Sequence, residues 1–287
     1  MFILTYKTTL KNLFRSPIFH LCVIILLGIA IYEAADGIFG YYDPAIGEMI
    51  MDTDPRFILR CDNYLKLFDN VCNAWIMLYA MPLFAVTSTV LVLTRDLDDD
   101  FFEIEKAGNV SPFYYWSGRL SALLTVNFLT VTVASFLSIS CYLISRGGVE
   151  GMGLMECIKD VFVRMLREVV VMAWPAIFFY VTMTYCVGCV FKNKIIAALV
   201  GDGYIVFYYL AIILLRHNFA PVYFQYFSPI PTNLRYYMYY YDTDSFENML
   251  VTFNTDLRKA MLALSFLIIS GTAFAVISYF CIKKRRY

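Results

Sequence analysis

The sequence predicts an all-α, polytopic membrane protein with six membrane-spanning helices. Of its 287 residues, 60% are hydrophobic and only 16% are charged, and the mean hydropathy is +0.64. A soluble domain is usually ~45–50% apolar and ~25% charged. The apolar residues also gather in six runs of about 20, the length of a helix that crosses a bilayer. These observations exclude an ordinary soluble enzyme.

The six runs give one transmembrane domain that covers residues 1–287. The predicted spans cover about 17–35, 74–94, 118–145, 169–191, 195–215 and 260–282. The longer connections are the predicted outer loops, 36–73, 146–168 and 216–259. An even number of spans places both termini on one side of the membrane.

The distribution of Lys and Arg predicts the orientation. The termini and the short connections carry these residues at about twice the density of the long loops. The tract Lys283–Arg286 directly follows the last span, and such a positive cluster resists translocation. We therefore expect a multi-pass protein of the cell membrane with both termini in the cytoplasm.

Residues 1–16 predict an amphipathic helix that lies at the membrane interface. Its apolar residues recur at helical spacing, and three cations spaced four apart occupy another face: Ile3, Tyr6, Leu10, Leu13 and Phe14 against Lys7, Lys11 and Arg15. The cations can meet anionic headgroups, and Ser16-Pro17 lets the chain turn upright. A positively flanked start of the first span, with no further role, is the alternative.

The short connection Arg95 to Ser117, the predicted inner loop, contains a second amphipathic segment. Asp98 to Asp100 can cap a helix, Phe101 to Ala107 can form two turns, and Gly108-Asn109 fits a C-terminal stop. Such a helix across the membrane face suits docking into a cytoplasmic partner; a solvated loop is the alternative. Asp96, Asp98 and Asp100 do not predict a calcium site, because no glycine turn or twelfth-position Glu follows.

The order of elements and this loop resemble the permease subunits of ABC-2 type transporters. The loop reads Arg-Asp, then Glu-x-Glu-Lys-Ala-Gly-Asn-Val-Ser-Pro-Phe-x-Tyr-Trp-x-Gly-Arg. In that family an acidic residue, a small turn, a Val-Ser step and a Gly-Lys or Gly-Arg open the third span. The matching residues here are Glu105, Gly108, Val110, Ser111, Gly118 and Arg119.

The resemblance implies that the segment from Phe101 to Asn109 is a cytoplasmic coupling helix, seated in a groove of a nucleotide-binding ATPase subunit. It implies ATPase-coupling roles for a set of loop residues: Phe101, Phe102, Glu103, Glu105, Lys106, Gly108, Ser111 and Arg119. It also implies a second permease copy, or a homologous permease, as a partner. The first outer loop is longer than in the simplest members, which leaves the substrate class open.

The chain lacks the residues that catalysis or nucleotide binding would need. No G-x-x-x-x-G-K-[ST] motif occurs, so ATP and Mg are expected in a partner subunit, and no cofactor is expected in this chain. Only two histidines are present and Lys plus Arg balances Asp plus Glu. We expect no enzyme activity, no catalytic residues, no metal site and no nucleic acid partner.

Asp202 is an acid well inside the fifth predicted span, between Gly201 and Gly203. A charge at that depth must face protein or a wet cavity. It is a candidate for the translocation pathway, or it pairs with a neighbouring helix that the glycines allow to approach. A membrane aspartyl protease is excluded because no second span centre holds an acid.

Two of the eight cysteines, Cys61 and Cys72, lie in the first predicted outer loop. With the predicted orientation they can form a disulfide, a possibility the sequence leaves open. Cys186-x-x-Cys189 lies in a span, where thiols behave as small apolar residues.

The sequence therefore favours an exporter permease whose cargo is amphiphilic, such as a lipid, a drug or a hydrophobic peptide, with membrane lipid around it. The alternative is a non-transporting membrane scaffold, or an immunity or receptor protein, that acts through its outer loops. Recovery of an ATPase with the chain would separate the two.

Overall fold

Helices make up nearly all of the described chain, as the sequence predicts. The computed structural model describes residues 1–36, 41–43, 48–50, 80–98, 110–146, 155, 166, 169–215, 240–241, 251–252 and 257–285. Within these residues there are seven α-helices: α1 (Phe2–Phe14), α2 (Pro17–Asp36), α3 (Met81–Asp98), α4 (Pro112–Arg146), α5 (Trp174–Phe191), α6 (Lys194–Leu215) and α7 (Leu257–Arg285). A π-helical turn, Val169–Ala173, leads into α5.

Two short antiparallel ribbons, which the sequence does not predict, lie within the predicted outer loops. Strand β1 (Tyr41–Asp43) pairs with β2 (Glu48–Ile50), with Tyr41 opposite Ile50. Strand β3 (Tyr240–Tyr241) pairs with β4 (Val251–Thr252). Both ribbons are short, so the fold class stays helical.

Three of the helices contain segments long and apolar enough to cross a membrane. They are Pro112–Ser138 in α4, Trp174–Phe191 in α5 and Leu264–Lys284 in α7. A fourth is added if α1 and α2, which are bent by 73° relative to each other, form one broken span. These described helices indicate a membrane protein, and the count of six spans stays a prediction.

Helix α3 shows why the count differs. Its last turn holds Arg95, Asp96 and Asp98, which is more charge than a span of 18 residues normally carries. Residues 74–79, which the sequence assigns to the same span, lie outside the described residues.

Helix α5 lies at the centre of the bundle. It packs against α3, α4, α6 and α7, and its side chains are buried on all sides from Ala176 to Cys189, with few exceptions. The outer faces of the other helices expose large apolar residues, among them Ile24, Leu199 and Ile269. A helix that is apolar all round belongs in the interior, and an apolar exterior suits lipid as the solvent.

Glycines set the distances between the packed helices. A Cβ at Gly201 of α6 would lie 2.7 Å from Val86 of α3, and a Cβ at Gly271 of α7 would lie 2.7 Å from the Phe178 ring of α5. Small residues at these crossings let two backbones approach closely, which is how helices associate in lipid.

Buried polar side chains also join the helices. Asn127 of α4 donates from Nδ2 to Ser88 Oγ of α3 at 2.8 Å and to the Leu123 carbonyl at 2.9 Å. Trp116 Nε1 of α4 donates to Ser278 Oγ of α7 at 2.9 Å. Hydrogen bonds of this kind fix the register between membrane helices.

The link between α5 and α6 is as short as the sequence predicts. Lys192 has a φ of 54° in the left-handed region, which turns the chain at the end of α5. Asn193 Oδ1 then accepts hydrogen bonds from the backbone N–H groups of Ile195 and Ile196. Asn193 therefore caps the N-terminus of α6.

Helix α1 packs on the start of α4 through Gly118. A Cβ at Gly118 would lie 2.9 Å from Thr5 Cβ and 3.2 Å from the Phe2 carbonyl oxygen. The residues of α1 that face the protein are Thr5, Thr9 and Leu13, whereas Ile3, Leu4 and Phe14 are exposed. Of the apolar face that the sequence assigns to lipid, Ile3 and Phe14 are exposed, whereas Leu13 is buried and Leu10 packs against the core. Part of that face therefore contacts protein.

We predict that Gly118→Ala separates α1 from α4. The added methyl meets Thr5 Cβ and backbone rather than a movable side-chain end, so we expect a loss of about 1–3 kcal/mol of stability, typical of overpacking. Thermal unfolding in detergent measures it. Gly203→Ala is the matched control, because nothing lies within 4 Å of a Cβ at Gly203; equal midpoints for the two variants would contradict the close approach.

Candidate functional site: a buried ion pair beside the inner loop

An ion pair joins the two helices that flank the predicted inner loop. Asp96 lies in the last turn of α3, and Arg119 lies in the second turn of α4. Arg119 Nη2 is 2.7 Å from Asp96 Oδ1, and the two side chains are only 1% and 7% exposed. The pair therefore holds together the two points where the chain leaves and rejoins the helical bundle.

Arg119 also reaches the N-terminal helix. Its Nη1 donates a hydrogen bond of 2.8 Å to Thr9 Oγ1, and Thr9 Oγ1 donates to the Thr5 carbonyl at 2.8 Å. Because Gly118 allows α1 to approach α4, the guanidinium can bind Thr9 and Asp96 at once. One side chain thus joins α1, α3 and α4.

Aromatic side chains enclose the ion pair. The Tyr115 ring lies 5.2 Å from the Arg119 guanidinium carbon, within the range of a cation–π interaction. Tyr115, one turn before Arg119 on α4, and Tyr185 of α5 are each 1% exposed. A residual cavity of about 10 Å³ touches Asp96, both tyrosines and Cys189. It has room for one water molecule at most, so the pair is shielded from solvent.

A buried ion pair of this kind is costly to form. Removing two charges from water costs several kcal/mol per ion, and their attraction repays it only with good geometry and further hydrogen bonds. Apolar side chains of similar size would often be as stable. The pair therefore matters because it fixes one arrangement of the three helices, and not because it adds to the stability of the fold.

Within the described residues, no three His, Cys, Asp or Glu side chains lie close enough to hold a metal ion. Asp96, weighed as a calcium ligand from the sequence, is bound to Arg119. The ion pair joins α3 to α4, and the hydrogen bond from Arg119 to Thr9 joins both helices to α1.

Only part of the predicted coupling set falls within the described chain. Phe101, Phe102, Glu103, Glu105, Lys106 and Gly108 lie outside the described residues. Ser111 precedes α4, and its carbonyl accepts the Tyr115 backbone N–H at 3.0 Å. Arg119 is buried, so it cannot touch a partner subunit; a coupling role for it has to pass through Asp96 and Thr9.

Asp202 lies half-buried on α6. Its Oδ1 is buried and has no hydrogen-bond partner in the described part of the chain. Gly201 packs against α3 and α5, whereas Gly203 faces open space. One flank of the acid thus faces protein and the other does not, and both interpretations of Asp202 stay predictions.

Of the four cysteines considered from the sequence, two lie within the described residues and two lie outside them. Cys61 and Cys72 lie outside the described residues, so their disulfide stays a prediction. Cys186 and Cys189 are buried in α5 and are not joined in a disulfide, in keeping with the packing role that the sequence predicts.

Thr5 and Thr9 are among the residues of the site that the sequence pattern does not single out. They occur four apart on a helix whose remaining pattern is apolar and cationic. Their spacing is the sequence signal that could identify them, because two threonines on one face of an amphipathic helix can face protein. The sequence shows Asp96 in the Arg-Asp step of the inner loop, but it does not predict that Arg119 is its partner.

Comparison with protein-family models, with curated proteins and with solved structures finds no match for this chain. The likeness to ABC-2 permeases therefore rests on the order of elements predicted from the sequence and on the residues of the inner loop.

We predict that the losses of stability from breaking the ion pair at its two ends are not additive. Asp96→Asn leaves a buried cation and Arg119→Gln a buried anion, and each should cost about 3–5 kcal/mol. The double variant should lose less than the sum of the two, because neither charge remains uncompensated. Thermal unfolding in detergent gives the double-mutant cycle.

Exposed Arg15 supplies the control for that cycle. Arg15→Gln should leave the unfolding midpoint within about 0.5 kcal/mol of the parent. Strictly additive losses at Asp96 and Arg119 would show that the two side chains do not interact in solution.

Proposed function

We propose that the chain is the membrane-spanning permease subunit of an ABC-2 type exporter. It moves an amphiphilic cargo across the membrane, using ATP that a separate nucleotide-binding subunit hydrolyses. A second copy, or a homologous permease, completes the pathway, because six helices alone rarely enclose a route for a large substrate.

The observation that carries the proposal is the buried Asp96–Arg119–Thr9 connection. The predicted coupling helix, Phe101 to Asn109, lies in the connection between α3 and α4. The helices on both sides of it are joined by the 2.7 Å ion pair. A push on that segment therefore moves the ends of α3 and α4 together instead of spreading them.

The bond from Arg119 to Thr9 extends this unit to α1. Helix α1 is bent by 73° from α2, and it exposes both cations, Lys7 and Lys11, and apolar side chains. Those features support an interfacial helix. In the proposed cycle, closure of the ATPase subunits rotates this three-helix unit between inward-open and outward-open arrangements.

The composition of the chain also supports a permease that relies on a separate subunit for ATP hydrolysis. It has no P-loop sequence, so the hydrolysis comes from a partner. Its exposed surface is rich in large apolar side chains, which suits a subunit surrounded by lipid and a cargo with apolar parts.

We expect a P-loop ATPase to co-purify with the tagged chain from its native host in gentle detergent. Replacing residues 103–106, Glu-Ile-Glu-Lys, with Ser-Gly-Ser-Gly should remove the ATPase while leaving the yield of folded chain unchanged, because the predicted docking helix is lost. Mass spectrometry of the bound proteins measures the outcome.

Lys192→Glu is the control for this experiment. Lys192 is exposed in the other predicted inner connection, so the ATPase should be retained. Repeated recovery of the folded chain without an ATPase would contradict the permease proposal and favour a scaffold or receptor that acts through the outer loops.

A further inference from the structure

A cleft opens between α1 and the last turns of α3, next to the ion pair. Its volume is about 170 Å³, and it is partly open to the surroundings. Its lining includes both apolar and polar side chains: Leu13, Leu91 and Val92 together with Thr9, Asn12, Ser16, Thr94, Arg95 and Arg119. The cleft therefore combines apolar surface with cationic side chains.

Two polar side chains in this wall have no hydrogen-bond or ion-pair partner within the described residues. Arg119 is bound to Asp96 and Thr9. The Arg95 guanidinium and the Asn12 amide, by contrast, make no hydrogen bond or ion pair within the described chain, and both are half-buried. These groups can supply several N–H donors to one ligand.

The chemistry of the wall identifies the ligand class. Arginine with an amide donor matches the geometry of a phosphate group. Asp96, which follows Arg95 in the sequence, is bound to Arg119. The apolar part of the wall can bury the surface of a hydrocarbon chain, whereas a free inorganic anion has no apolar surface to bury there.

The position of the cleft points to a lipid. The neighbouring face of α1 and the start of α2 expose Phe14 and Ile18, which suits contact with acyl chains. Lys11 and Arg15 are exposed nearby. With α1 at the membrane interface, as proposed above, the cleft lies at the level of the headgroups.

We propose that this cleft binds one anionic phospholipid. Its phosphate is held by Arg95 and Asn12, and its acyl chains lie against Leu13, Leu91 and Val92. The bound lipid lies between α1 and α3, so it stabilises the packing of the interfacial helix on the bundle. This site does not require transport, but it does rest on the interfacial position of α1.

Native mass spectrometry of the chain, released from vesicles of equal phosphatidylglycerol and phosphatidylcholine, tests the proposal. We expect one phosphatidylglycerol to be retained per chain and no phosphatidylcholine. Arg95→Gln should lower the retained phosphatidylglycerol about fivefold, which corresponds to the loss of one cation near the surface. Asn12→Leu, which spares all charges, should lower it as well.

Lys11→Gln is the matched control, because Lys11 is exposed on the same helix but does not line the cleft. It should retain the lipid at the parent level. A loss equal to that of Arg95→Gln would mean diffuse surface attraction and would overturn the site, as would equal retention of the two lipids.

Inorganic phosphate distinguishes a lipid from a free anion. Phosphate at millimolar concentration should not displace the phosphatidylglycerol more than sodium chloride of the same ionic strength does. Selective displacement by phosphate would overturn a lipid as the occupant. Parent-like unfolding midpoints for Arg95→Gln and Asn12→Leu establish that these variants are folded.

Discussion

The ion pair between Asp96 and Arg119 is the interaction on which the arrangement of α1, α3 and α4 depends. Helix α1 contributes few long apolar side chains to the interior; its inward face is Thr5, Thr9 and Leu13. Its attachment therefore relies on the close approach at Gly118 and on the hydrogen bond that Arg119 donates to Thr9. That bond is available only while Asp96 balances and orients the buried guanidinium. The same pair fixes the distance between the helices that flank the inner loop.

This constraint connects the two proposals. The proposed coupling segment lies between α3 and α4, and the proposed lipid site lies between α1 and α3. Arg119 borders both, because it binds Asp96 on one side and lines the cleft on the other. A displacement of the inner loop would therefore alter the cleft, and a bound lipid would in turn favour one position of α1. Both consequences follow from a single buried cation shared by three helices.

The sequence was informative where the signal is local. Apolar runs predicted helices over the positions of α2 to α7, Ser16-Pro17 predicted the break after α1, and the polar Lys192-Asn193 step predicted the link between α5 and α6. The sequence does not predict the partners of Arg119, because Thr9 is 110 residues away along the chain. Hydrophobic periodicity carries no information about such distant contacts. Asp96 illustrates the same limit: in sequence it is one of several acids, and only the packing of α3 against α4 shows its role. The inner-loop residues, and the six-span count, remain predictions of the sequence.

Hydrogen–deuterium exchange of α1 tests the central claim most directly, because the claim is that one ion pair holds this helix on the bundle. The account predicts that Asp96→Asn speeds exchange of the backbone amides of Phe2–Phe14 in the lipid-reconstituted chain. Exchange in the central helix α5, whose packing involves its neighbours on every side, should speed up less than exchange in α1. Unchanged protection of α1, or an equal loss of protection throughout the bundle, would contradict the account.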